Sequence, residues 1–206
     1  MTTKRALILV DLQNDFMPEG NLPVPDGDAV IEVANALLQK FDRVVATQDW
    51  HPPNHGSFAS NHHGRAPGEL IDLDGLEQVL WPDHCVQGSA GAEFVAALEQ
   101  GSIAKVFRKG TDPTIDSYSG FFDNGHKKST GLADYLRDEG VDTVFVAGVA
   151  TDYCVKFTVL DARACGFETY LVLDACRGVN LRPTDSEDAV AAMRRAGAHI
   201  VESADV

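Results

Sequence analysis

The sequence predicts an α/β protein: a six-stranded, mainly parallel sheet covered by helices on both faces, in three layers. Three observations carry this. Several runs, such as "ALILVD" (6–11), "TVFVAGV" (143–149) and "TYLVLDA" (169–175), are apolar without alternation, as in strands buried on both sides. Amphipathic stretches of helical period separate them, the alternation expected of parallel crossovers. The length, 206 residues, suits one domain. With 44% hydrophobic and 23% charged residues, the chain is not disordered, collagenous or coiled-coil.

In order, strand 6–11 is followed by a helical pattern at 28–40 and by strand "RVVATQD" at 43–49. A Pro-, Gly- and His-rich stretch, about 50–90, has little periodicity. A helix is expected at 91–100, then strand "AKVFRK" at 104–109. A second loop, 110–130, leads to a helix at 131–139 that stops at Gly140. Strand 143–149 runs into a helix at 152–165, strand 169–175 into a helix at 186–196, and strand 198–203 closes the order. Loops as long as 50–90 and 110–130 are uncommon in a compact domain and usually functional.

Charge narrows the function. Lys plus Arg is 17 and Asp plus Glu is 31, a net charge of −14, which repels nucleic acids and anionic membranes. The strongly apolar run "TVFVAGVA" is eight residues long, short of the ~20 a membrane helix needs. The N-terminal "MTTKRALILVDLQNDF" acquires acidic residues too early for a signal peptide. Cys85, Cys154, Cys165 and Cys176 form no CxxC pair, so free thiols in a reducing, cytoplasmic setting are expected.

In open α/β sheets, ligands bind beyond the carboxyl ends of the strands. Asp11, Asp49 and Lys109 end three strands, and Cys154 lies just past a fourth. Cys154 follows "GVATDY", with Thr151 or Asp152 as helix N-cap, so it falls in a first turn whose N–H groups and dipole favour a thiolate and can hold an oxyanion. Cys165 and Cys176 read as packing residues. Asp11 follows a buried run, so desolvation should raise its pKa and suit it to proton transfer near neutrality. A buried Lys109 needs a counter-ion. Any of these residues alone would pass as a cap, a packed thiol or a solvated lysine. Together they describe a cysteine nucleophile activated without histidine.

"TQDWHPPNHGSF" and "LWPDHCVQG" raise metal binding. Asp49 and His51, at i and i+2, can face one ion, and His84 adds a third ligand, the pattern of an open catalytic-type site. His55 and Ser57 are near enough to contribute directly or through water, while His62 and His63 read as exposed loop residues.

"LVDLQNDF", "DWHPxxHxSF", "WPDHCVQG", "FRKG" and "GVATDYCV" together resemble the nicotinamidase/pyrazinamidase family of isochorismatase-like cysteine hydrolases, in the family's order and over nearly the whole chain. "VDxQxDF" and "ATxxCV" mark the superfamily, whereas "DxH" with "WPxHC" marks the metal-containing nicotinamidases. The resemblance implies one isochorismatase-like domain over 1–206, with a metal and substrate loop at about 50–90. It implies a catalytic triad of Asp11, Lys109 and Cys154 and a non-proline cis peptide at Val149–Ala150. The oxyanion hole would be the N–H groups of Ala150 and Cys154. Substrate walls would come from Phe16, Trp81 and Tyr118, and metal ligands from Asp49, His51 and His84. Some relatives have a histidine at the position of Ser57, so here a water held by Ser57 is the expected substitute. One divalent ion is implied, zinc first, with iron or manganese as alternatives. The implied activity is deamidation of nicotinamide to nicotinate and ammonia, with pyrazinamide as a second substrate, in pyridine-nucleotide salvage. The partner is a small molecule, with room for a homo-oligomer.

Two rivals stand beside it. A metal-independent N-carbamoyl or ureide amidohydrolase would share Asp11, Lys109 and Cys154 but has no need of Asp49, His51 and His84. A non-catalytic pyridine- or metal-binding module has no need of the nucleophile. An isochorismatase does not require the cysteine, and a thiol redox protein would want a resolving CxxC.

Overall fold

The computed structural model describes residues 4–206; the first three residues of the N-terminal stretch lie outside them. Six strands form one sheet: β1 (Lys4–Val10), β2 (Arg43–Asp49), β5 (Ile103–Lys109), β6 (Val141–Val149), β7 (Glu168–Arg177) and β8 (His199–Val201). Their order is β5-β2-β1-β6-β7-β8, and every pairing is parallel. Side chains alternate across the sheet. Leu7 and Leu9 of β1 enter one apolar core, while Ala6, Ile8 and Val10 enter the other.

Helix α1 (Ala29–Leu38) covers the first face with Val30, Ile31, Ala34, Leu37 and Leu38, an i, i+3/i+4, i+7 stripe. Each of its larger buried side chains contributes roughly 1.5–3 kcal/mol by leaving water. Helices α2 (Leu132–Asp138), α3 (Lys156–Ala164) and α4 (Asp185–Arg195) cover the second face. The three-layer expectation holds, and the sheet is wholly rather than mainly parallel.

Two departures concern the long connection from β2 to β5. It contains a short antiparallel hairpin, β3 (Leu70–Leu73) with β4 (Leu76–Val79), where no element was expected. No helix forms at 91–100; that segment consists of turns, bends and short 3-10 pieces. Its backbone instead meets the turn after β1. Asn14 N–H donates to Glu93 O, Val95 N–H donates to Leu12 O, and Gln13 bridges Phe94. Tertiary pairing outcompetes local helix propensity here. Among the described residues, no helix is long and apolar enough to cross a membrane.

Candidate active site

Strands β5, β2, β1 and β6 lie side by side, so their carboxyl ends deliver Lys109, Asp49, Asp11 and, one turn later, Cys154 to a single edge. Asp49 and Lys109 are register partners. Asp11 turns the chain with φ 51°, a left-handed backbone that aspartate tolerates better than most residues. All four are buried.

Lys109 is the hub. Its Nζ lies 2.8 Å from Asp11 Oδ2, 2.7 Å from Asp49 Oδ1, 3.0 Å from Ser117 O and 3.4 Å from Cys154 Sγ. Burial alone would push the ammonium pKa down, but Asp11 and Asp49 lift it well above its ordinary value and so favour the charged form. Asp11 Oδ1 accepts from Thr47 Oγ1 at 2.6 Å. Its Oδ2 touches the lysine as an ion pair yet has no aligned hydrogen-bond donor. Burial raises the Asp11 pKa, with Lys109 opposing and Asp49 assisting, which matches the expectation for that residue.

Cys154 departs from its expectation. It lies in a π-helical turn, Thr151–Val155, whose N-cap position is held by Ala150, with no capping side chain. Neither Thr151 nor Asp152 caps it. Burial pushes the thiol pKa well above normal, Lys109 opposes, and Asp11 and Asp49 add to the rise. The resting group is therefore a thiol, and a base must take its proton. The peptide Val149–Ala150 is cis, as the resemblance implied.

Beyond Lys109, the other oxygen of Asp49 faces two histidines. Oδ2 lies 3.5 Å from His51 Nε2 and 3.8 Å from His84 Nε2. These distances approach the roughly 3.4 Å edge of a tetrahedron with bonds of about 2.1 Å. Backbone carbonyls orient both rings: His51 Nδ1 pairs with Gly110 O at 2.9 Å and His84 Nδ1 with Pro82 O at 2.7 Å. Both Nε2 atoms are thus turned toward the gap. Gly110 (φ 63°) admits this packing, since a Cβ there would stand 2.3 Å from the His51 ring. Burial and the neighbouring His51 hold the His84 pKa down to about 4, the neutral form a metal ligand requires. The donor set fits a divalent cation.

The expected role of Ser57 shifts. Its Oγ pairs with His55 Nδ1 at 2.7 Å, which leaves His55 Nε2 as a buried nitrogen without a hydrogen-bond partner among the described residues. His55, His51 and Asp116 also lie within ligand distance of one another. With Nδ1 of His51 engaged, only its Nε2 remains, so the two groups form one buried cluster rather than two sites.

Between Cys154 and this cluster lies a narrow cleft of about 30 Å³. The expected walls Phe16, Trp81 and Tyr118 all line it. Tyr118 OH accepts from Trp81 Nε1 (3.2 Å) and from Gln78 Nε2 (3.0 Å), and Gln78 also donates to Asp116 at 3.1 Å. Leu22, Asp116, Tyr153 and Val179 line the cleft too. Sequence reasoning missed them and Gln78, because each sits in an aperiodic loop or beside a motif that drew attention elsewhere. Gln13 and Asp15 were quoted in "LVDLQNDF" without a role. The Gln13 amide donates to Asp49 O and Ala92 O and accepts from Asp49 N, each at 2.8 Å, clamping the backbone of that residue. Asp15 Oδ2 accepts from Cys85 N at 2.7 Å, next to His84.

With that geometry in hand, the chain matches the isochorismatase domain over residues 5–205. It is 54% identical to the nicotinamidase of Escherichia coli K12 over 98% of this chain and 96% of that protein. The structure of the Acinetobacter baumanii nicotinamidase/pyrazinamidase superposes with a TM-score of 0.96 at 47% identity, covering 100% and 99% of the two chains. A pyrazinamidase of Pyrococcus horikoshii in complex with zinc superposes with a TM-score of 0.79 at 42% identity, covering 97% and 99%. Motif order, site geometry and whole-chain similarity agree: the chain belongs to the nicotinamidase/pyrazinamidase family of isochorismatase-domain hydrolases.

Proposed function

We propose that this protein hydrolyses nicotinamide to nicotinate and ammonia through a thioester on Cys154, and accepts pyrazinamide by the same route. The observation that carries the reading is convergence. Asp11, Lys109 and Cys154 meet the Asp49, His51 and His84 cluster across one aromatic-walled cleft, and Asp49 belongs to both groups.

In this mechanism the ring of the substrate lies among Phe16, Trp81 and Tyr118, with its carboxamide toward Cys154. Asp49, His51 and His84 would hold a divalent ion, zinc by the likeness to the Pyrococcus protein, and that ion would supply Lewis-acid chemistry to orient the pyridine ring. His55 Nε2, a buried nitrogen with no hydrogen-bond partner among the described residues, lies beside His51 at the edge of this donor set. Asp11 takes the thiol proton on Oδ2, the oxygen that is ion-paired with Lys109 but accepts no aligned hydrogen bond, while Cys154 Sγ bonds to the carboxamide carbon. The carbonyl electron pair moves onto oxygen, which the N–H groups of Ala150 and Cys154 receive. Collapse breaks the C–N bond as Asp11 returns its proton to the leaving nitrogen, releasing ammonia. Asp11 then accepts a proton from water as the water oxygen bonds to the thioester carbon. The C–S bond breaks, and the thiolate regains that proton. Lys109 stays protonated throughout, offsetting the charge that passes between Asp11 and sulfur.

The metal-independent carbamoyl amidohydrolase is the weaker reading, because it leaves the buried Asp49, His51 and His84 cluster without a purpose. Ammonia release from nicotinamide and from an N-carbamoyl amide, before and after stripping metal with a strong chelator, separates the two. The expected result is nicotinamide turnover that falls on stripping and returns with added zinc. Metal-indifferent turnover of the carbamoyl amide alone would transfer the assignment to the rival.

A further inference from the structure

Asp152 is buried two residues before the nucleophile, in the position expected to cap its helix, yet its carboxylate points elsewhere. Oδ1 accepts the N–H of Val179 at 2.9 Å and Oδ2 that of Asn180 at 2.7 Å. Those residues belong to the connection from β7 to α4. Asn180 Oδ1 in turn accepts from Ser186 N at 2.9 Å, at the start of α4. Gly178 completes the attachment, since a Cβ there would stand 2.0 Å from Ser186 Oγ and 3.1 Å from Asp152 Oδ1. Residues 178–180 thus form a strap held from both sides. On its inner side Val179 lines the cleft; on its outer side Gly178 and Asn180 border an open groove. The strap therefore lies between the site and that groove, held by Asp152 on one side and by Ser186 on the other, with Val179 packed against the apolar core.

We propose that Asp152 is a positioning residue: by binding two consecutive backbone N–H groups it ties the strap to the turn of Cys154, so that Val179 sets how large a ring the cleft admits. A carboxylate accepting two backbone N–H bonds makes charge-assisted contacts, stronger than neutral ones. One methyl group against a hydrophobic wall alters selectivity by roughly ten- to two-hundredfold. The proposal rests on the nicotinamide reading, because ring size is meaningful only for an aromatic amide.

The test uses the full-length, metal-loaded protein with Asp152→Ala, Asp152→Asn and Val179→Ala. Steady-state kinetics are measured on nicotinamide and on its 4-, 5- and 6-methyl derivatives, which probe the ring edges in turn. In Asp152→Ala, KM for nicotinamide should rise about tenfold with kcat within about threefold, and selectivity against one methyl derivative should relax by about tenfold. Val179→Ala should relax selectivity at the same ring edge. Asp152→Asn, which keeps one acceptor oxygen, should fall between. A loss confined to kcat, or relaxation at no edge or at different edges, would overturn the proposal. Hydrogen exchange at the Val179 and Asn180 amides reads the strap without turnover. Exchange should quicken about tenfold or more in Asp152→Asn, and unchanged exchange also refutes the proposal. Wild-type protein inert toward nicotinamide but with the expected exchange would defeat the functional reading and leave the strap standing. If Asp152→Ala does not fold, the other two variants decide.

Discussion

On the nucleophile side of the cleft, Ala150, Tyr153 and Cys154 sit within one turn, where β6 hands over to α3. On the metal side, Asp49, His51 and His84 are spread over residues 49–84, with a hairpin and two irregular loops between them. The first side is shaped by the end of a sheet strand and the π-helical turn that follows it. Beyond the strand end that carries Asp49, the second is held by side-chain bonds to backbone: Gln13 to Asp49, Gly110 O to His51, Pro82 O to His84, Asp15 to Cys85. The nucleophile is placed by architecture, whereas the ligands are placed by clamps that a single substitution can release.

This contrast is open to attack, starting with the largest effect. Cys154→Ala should lower turnover about 10⁴-fold or more while folding and metal content stay at wild-type levels, checked by ammonia release, circular dichroism and elemental analysis. Concurrent loss of metal would mean that the two sides are not built separately. Gln13→Ala removes three bonds from the Asp49 and Ala92 backbone without touching a ligand atom. Zinc affinity, measured by chelator competition, should fall about 10- to 100-fold; unchanged affinity would show that the ligands need no clamp.

The smallest effect concerns protons. In the proposed mechanism Asp11 is the base, and its pKa is raised, chiefly by burial, so lowering pH through that value protonates it and removes the acceptor. Log kcat/KM should fall by about one unit per pH unit on the acid side, with the midpoint above the usual carboxylate value of 3.8. A midpoint at or below that value would assign proton transfer to another group.

The same contrast explains what could be read from residues alone. Strands with continuous apolar runs, and the strand ends carrying Asp11, Asp49, Lys109 and Cys154, were legible because neighbours in sequence determine them. The helix expected at 91–100 failed because Glu93 and Val95 find backbone partners in the turn after β1, far away in the chain. Asp116 and Gln78 gave no signal, since their value lies in meeting Tyr118 and the histidine cluster after folding. Asp152 was visible but misassigned. A helix-start aspartate normally caps its own helix, and here a distant pair of N–H groups claims it.

Asp49 has one further consequence. One of its oxygens serves Lys109 and the other faces the histidines, so the two centres cannot be inherited or engineered as separate modules. A descendant that abandoned the ion by replacing Asp49 would also deprive a buried lysine of one of its two counter-charges, leaving Asp11 alone to balance it. Abandoning it through His51 or His84 leaves that pairing whole. Of the three residues, Asp49 is thus the one whose loss disturbs both centres at once.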